Sequence, residues 1–174
     1  SENMINIAKE KNKHAGNIVF KRCDMKELTK LELNLDVAIA VNSIINPSIS
    51  DIKIILSEIN KSMKEGGLFI GVFPSMESII HYAMLVYERE LENSEELQAI
   101  IKTKMVVEWD KYCFIRGLYD DCGEKQKFFY EFELKNKLKE AGFKNIKIKK
   151  VQYPWGEHGD FDMFKDKLMM WDWF

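Results

Sequence analysis

The sequence predicts an α/β fold, one domain of 174 residues with parallel strands whose carboxyl ends carry the working residues. Three observations lead there. The apolar runs in NIVF, DVAIAV and LFIGVF are too short for helices, and each gives way to polar or turn-forming residues. Strands buried on both faces have this appearance. Between the second and third runs, Ile52, Ile55, Leu56, Ile59 and Met63 recur at helical spacing, so a helix joins two strands that lie parallel. Open sheets of this kind bind ligands in a crevice outside the strand carboxyl ends.

Met4, Ile7, Ala8 and Lys11 share one helical stripe, with Ser1 or Asn3 as cap, so a helix begins almost at the first residue. Asn17–Phe20 is expected as a strand ending near Asp24. The strand from Asp36 to Val41 is followed by the loop Asn42 to Ser50, interrupted by Pro47. Ser50 or Asp51 caps the next helix, and Gly66 supplies its left-handed stop. Leu68–Phe73 is a strand closed by Pro74. From Ser75, the positions Met76, Ile79, Ile80, Ala83, Met84, Tyr87 and Leu91 mark a long amphipathic helix; Asn93 and Ser94 start another through Leu97, Ile100 and Ile101. Val106–Tyr119 and Lys125–Tyr130 read as antiparallel strands joined at Asp120-Asp121-Cys122-Gly123. A helix through Leu134, Leu138 and Ala141 stops at Gly142. Phe143–Tyr153 is a strand whose alternation slips at Lys149-Lys150, the mark of a β-bulge. The aromatic tail, 154–174, is expected to add a helix around Phe161, Phe164 and Leu168.

Composition narrows the function classes. Charged residues make up 31% and hydrophobic ones 46%, with a net charge of −2, which suits a soluble globular protein and offers no basic field for nucleic acid. The basic run Lys144–Lys150 alternates with Ile146 and Ile148 and reads as the solvent face of a strand. No apolar run approaches the ~20 residues of a membrane span. Cys23, Cys113 and Cys122 have no metal-ligand spacing, so no metal is expected and a reduced, cytoplasmic setting is the simplest inference. The chain opens on Ser1 with no signal peptide, which predicts a processed or truncated end.

In their order and spacing these segments resemble the later half of class I S-adenosylmethionine-dependent methyltransferases. SENMINIAKEK resembles the turn and helix after the family's second strand, with Ser1 and Met4 in its two marked positions. CDM places Asp24 after the third strand, where the family's acidic residue accepts from the adenine amino group, and sets Met25 against the purine face. DVAIAVNS delivers Asn42 and Ser43 to the position where the family lines the methyl-transfer site. KEGGLF resembles the family's Lys-Pro-Gly-Gly turn, with Glu65 in place of Pro, and FFYEFELKNKLKEAGFKNIKIKKVQYPW resembles its terminal helix and final antiparallel strand.

The resemblance implies an incomplete Rossmann-like methyltransferase sheet made of the family's strands 3, 4, 5, 7 and 6. It implies S-adenosylmethionine as cofactor, held by Ser1, Met4, Asp24, Met25, Asn42 and Ser43, and a small-molecule methyl acceptor. The family's glycine-rich opening, which lets the backbone approach the cofactor, is not in this chain. In the family order 3-2-1-4-5-7-6, that leaves strands 3 and 4 without the neighbours between them. Three outcomes are expected: strand 3 moves against strand 4, another chain fills the gap, or the opening lies elsewhere in the parent protein. The chain by itself is not expected to bind the cofactor normally.

The stretch 75–127 is an insertion relative to the family core and is expected as a helical and hairpin lid that reads the substrate, with Tyr82, Tyr87 and Trp109 as candidate contacts. His81 is the one nearby histidine that could act as a base; His14 and His158 have no catalytic partner pattern. Each of these residues also has a structural alternative: Asp24 as a turn cap, Asn42 as a loop amide bonding its own backbone, and the aromatics as core. Two other functions remain open. One is a noncatalytic methyltransferase-like partner or regulatory subunit that binds another chain, with Trp155, Trp171 and Trp173 as interface anchors; a homo-oligomer is a separate expectation for the chain under any reading. The other is a nicotinamide-dependent enzyme on a related sheet.

Overall fold

Parallel pairing of two apolar strands organises the molecule, and the computed structural model describes residues 2–153, 164, 166–168 and 170–174. Strand β1 (Leu35–Val41) runs parallel to β2 (Met63–Val72), in register from Val37 opposite Leu68 to Val41 opposite Val72. Helix α2 (Ile49–Lys61) makes the crossover and buries Ile52, Ile55, Leu56 and Ile59 along one face. Its cap is Ser48, whose hydroxyl accepts from the Asp51 N–H, so the start falls two residues ahead of the expected Ser50. Gly66 is not its stop. The helix ends at Ser62 in right-handed geometry, and Gly66, at φ +78°, lies inside β2. There the register shifts between the Leu35–Met63 and Val37–Leu68 pairs, a bulge that needs a left-handed residue.

The carboxyl end of β2 is joined to the last strand of the chain. Phe73 and Trp173 exchange both backbone hydrogen bonds, at 2.8 and 2.9 Å, in antiparallel sense. Strand β7 (Trp171–Trp173) in turn pairs antiparallel with β6 (Lys150–Gln152). The described residues thus form two separate two-stranded sheets that one bridge connects, in the succession β1, β2, β7, β6. The expected strand Phe143–Tyr153 is reduced to β6. Phe143, Ile146 and Ile148 instead pack irregularly against the core, so the slip at Lys149-Lys150 marks a strand start, not a bulge. The expected tail helix falls mainly outside the described residues; within them Phe164 is buried and 171–173 is strand.

The stretch 75–127 holds α3 (Met76–Leu91) and α4 (Glu96–Val106), followed by a small antiparallel sheet of β3 (Tyr112–Cys113), β4 (Leu118–Asp121) and β5 (Glu124–Lys127). Ser75 caps α3 by accepting from the Ser78 N–H at 3.0 Å. The Ser94 hydroxyl donates to the Glu90 carbonyl instead of capping α4, which begins after Glu95. The long strand expected over Val106–Tyr119 does not form, because α4 runs on to Val106 and a 3₁₀ turn occupies Trp109–Lys111. Its hairpin turn does form: Cys122 and Gly123 both take positive φ, 52° and 94°, the twist that matches a tight antiparallel pair. Helix α5 (Glu131–Glu140) follows and ends ahead of Gly142, at φ +96°.

At the amino end, α1 (Glu2–Lys11) forms as expected but buries none of its residues. Asn17–Phe20 is not a strand; Ile18 and Val19 are exposed and the segment pairs with nothing in a described sheet. Ile18, Val19 and Phe20 have strand propensity but no ladder to join, and propensity alone does not hold a strand. It has not moved against β1, whose second edge is unpaired among the described residues. One face of the β1–β2 pair is covered: Ala38, Ala40 and Phe69 meet a core of α2, α5, Phe73, Phe129, Trp171 and Trp173. The other face shows Val37, Ile39, Val41 and Leu68, each about half exposed or more. A second cluster lies under α3, where Met76, Ile79, Ala83 and Val86 pack with Val107, Phe164 and Met170.

Candidate functional site at the carboxyl ends of the parallel strands

Asn42 stands where β1 ends. Its N–H donates to the Val72 carbonyl at 2.9 Å, and its backbone then turns left-handed, at φ +44°, a geometry asparagine tolerates better than most residues. The side-chain amide reaches Asp172 on β7, with Nδ2 3.4 Å from Oδ2. Trp171 and Trp173 on either side are 4% and 2% exposed and belong to the core, so strand alternation turns Asp172 to the opposite face. Burial raises the Asp172 pKa above the usual carboxylate value, while the Asn42 amide and the Ser75 backbone N–H act in the other direction. No cation among the described residues forms an ion pair with it.

Ser78, in the first turn of α3, ties that helix to β7 by accepting from the Trp171 N–H at 3.0 Å. Tyr153, just past β6, hydrogen-bonds Ser78 through its phenol, whose pKa is raised first by burial and then by the Asp172 charge. Asn42, Ser75, Ser78, Tyr153 and Asp172 therefore form one connected polar group where β1 and β2 end. Of these, Asn42 is legible at the end of an apolar run, whereas Asp172, between Trp171 and Trp173, carries no local signal of a site.

The remaining sequence-predicted residues lie as follows. Asp24 accepts from the Lys26 N–H at 2.9 Å and caps the 3₁₀ segment Met25–Leu31. Lys26 Nζ sits 3.1 Å from Asp51 Oδ2, an oxygen that also accepts from Asn46 Nδ2 at 3.3 Å. Asp24 is thereby linked to the loop after β1 and to the first turn of α2. Met25 packs against the α2 core, and Ser43 is exposed beside Asn42. His81 is held by structure: Nε2 donates to the Leu168 carbonyl at 2.8 Å, and its ring lies 5.3 Å from that of Trp171. Tyr82 meets Phe164 edge-on, Tyr87 is half-buried on α3, and Trp109 lies 4.1 Å from the Phe114 ring. Met4 and His14 are exposed near the amino end. Ser1, Trp155 and His158 lie outside the described residues.

The loop that carries Asn42 is fastened by β5. Lys127 on β5 donates its N–H to the Ile45 carbonyl at 2.9 Å. Its side chain, 1% exposed, places Nζ 2.7 Å from both the Arg116 carbonyl and Glu133 Oε2. Among the described residues no group of three His, Cys, Asp or Glu could hold a metal ion, all three cysteines are free and exposed, and no helix is long and apolar enough to cross a membrane. No family model, curated protein or solved structure matches this chain.

Proposed function

We propose that this chain is the carboxyl-terminal part of an S-adenosylmethionine-dependent methyltransferase domain acting on a small molecule, with its site where β1 and β2 end. The supporting observation is the strand succession. Backbone hydrogen bonds link β1, β2, β7 and β6 with only β7 reversed, the order of strands 4, 5, 7 and 6 in the Rossmann-like sheet of that family. The helices before β2 and before β6, and the polar group at the strand ends, sit where that reading needs them. Three free cysteines favour a reducing, cytoplasmic setting.

The residues present fit part of the cofactor. One oxygen of Asp24 accepts from Lys26, and the other is available to an adenine amino group. Ser43, exposed beside Asn42, would face the methionine portion. The bound cofactor supplies an already electrophilic methyl group. The chain's own residues position the acceptor, with Asp172 and Tyr153 half-buried at the strand ends. His81 contributes its ring to the packing of Trp171 and its Nε2 proton to Leu168. Calorimetry of the full-length protein with S-adenosylhomocysteine tests the reading. Binding that weakens about tenfold in Asp24→Ala is expected from loss of a carboxylate hydrogen bond. Unchanged affinity removes Asp24 from the site, and no binding to the wild type refutes methyl transfer.

The exposed face of Val37, Ile39, Val41 and Leu68 favours a second reading, a methyltransferase-like subunit that binds another chain. Its anchors would lie on that face, since Trp171 and Trp173 are core residues.

A further inference from the structure

We propose that Asp172 and Asn42 form the recognition pair for a protonated amine on the methyl acceptor, an inference that rests on the methyl-transfer reading and names its substrate class. Asp172 is a carboxylate on a three-residue strand between two core tryptophans, a position where an apolar side chain would pack at less cost. Its only described side-chain partner is the Asn42 amide at 3.4 Å, long for a charge-assisted bond. The Ser75 backbone N–H is a second donor to it, and a carboxylate has about four acceptor positions, so about two are left. A half-buried anion without a counter-cation is unfavourable unless something supplies the charge, and among the described residues nothing does.

A ligand ammonium meets this need in both respects. It brings a positive charge to an anion in a poorly solvated setting, and its three N–H donors match the vacant lone pairs. A neutral hydroxyl would fill one lone pair and leave the charge unbalanced, so the site discriminates by charge before shape. Asn42 has a matching role. Its left-handed backbone turns the side chain toward β7, and its carbonyl oxygen can accept from the same ammonium while Nδ2 holds Asp172. Burial raises the Asp172 pKa, and a cation bound beside it would act in the opposite direction.

The test uses the full-length protein, with methylammonium chloride as probe and sodium chloride and methanol as controls. Two-dimensional NMR follows the Asn42 side-chain amide and the Asp172 carboxyl carbon. Saturable shifts are expected with methylammonium at concentrations where both controls leave these resonances in place. Asp172→Asn, which keeps the shape, should weaken the response about tenfold, and circular dichroism verifies that the variant is folded. Equal responses to methylammonium and sodium, no response at all, or an unchanged response in Asp172→Asn each overturn the proposal. Calorimetry with S-adenosylhomocysteine separates the two ideas. If it fails while the methylammonium site remains, methyl transfer falls and the cation site stands; the converse outcome removes the cation site alone.

Discussion

Replacing Lys127 with methionine removes a buried charge at the point where β5 is fastened to the loop after β1. The side chain is 1% exposed, donates to the Arg116 carbonyl and to Glu133, and lies 5.2 Å from the Phe129 ring centre. Removing one partner of a fully buried ion pair costs about 3–5 kcal/mol. Here Glu133 keeps Lys137 at 3.5 Å and is 19% exposed, so it is not stranded. What remains is a carbonyl without its donor, about 1–3 kcal/mol, partly offset by the methionine's own burial. The net expectation is a loss of about 2 kcal/mol, or roughly 4–8 °C in Tm for a chain of this length. Urea unfolding followed by circular dichroism measures it, with Glu133→Gln and the double variant completing a cycle. The pH dependence gives a second readout. Burial lowers the Lys127 pKa below its ordinary 10.5, so the unfolded chain holds this proton more tightly. Wild-type stability should therefore gain as pH rises from the lowered folded value toward 10.5, an increment Lys127→Met lacks. A variant as stable as the wild type would refute the reasoning, because desolvation would then outweigh the hydrogen bonds.

Other expectations follow from single contacts. Trp173→Ala removes a ring 2% exposed whose Nε1 donates to the Phe129 carbonyl at 3.0 Å, and should cost about 3–5 kcal/mol in the same unfolding assay. Gly117→Ala places a Cβ 2.4 Å from the Phe128 carbonyl oxygen at φ +61°, so a loss of at least about 1–3 kcal/mol is expected, read as a lower urea midpoint. Asp172→Asn should raise Tm near neutral pH. The folded pKa of Asp172 is raised, so its stabilising effect is complete only below the unfolded value near 3.8 and is lost as pH rises through the folded one. The gain of the variant should vanish in acid; a gain of equal size at all pH values would refute the assignment.

What was legible in the sequence is what local spacing determines. The crossover helix shows in Ile52, Ile55, Leu56 and Ile59, and the end of α5 in Gly142, because period and left-handed stop are properties of adjacent residues. Elements that need a distant partner were misjudged in both directions. Asn17–Phe20 has strand composition and no strand beside it, while Trp171–Trp173 is too short to show a period and becomes a strand only against Phe73 and Lys150. Gly66 was misassigned for a related reason: its left-handed backbone was read correctly, but whether it ends a helix or allows a bulge depends on the register with Leu35. The polar group at the strand ends followed the same rule. Asn42 could be found from the end of an apolar run, whereas Asp172 lies 130 residues further on and is joined to it only by folding.

The composition of β1 bears most directly on the two functional readings. A strand solvated on one face alternates apolar and polar residues. In β1, Val37, Ile39 and Val41 stand on the open face and Ala38 and Ala40 on the covered one, so neither face has the chemistry of a surface. Nor does its unpaired edge carry the lysine, proline or bulge at mid-strand that keeps edge strands from pairing. Such a strand is built for the interior of a sheet with a layer on each side. Both readings explain it, since a methyltransferase domain would supply that layer from its own amino-terminal half and a subunit from its partner. They part at the strand ends. A layer placed only for stability has no need of a desolvated aspartate held by a left-handed asparagine beside it, whereas a site that must receive a charged ligand does. That difference is why methyl transfer is the preferred reading.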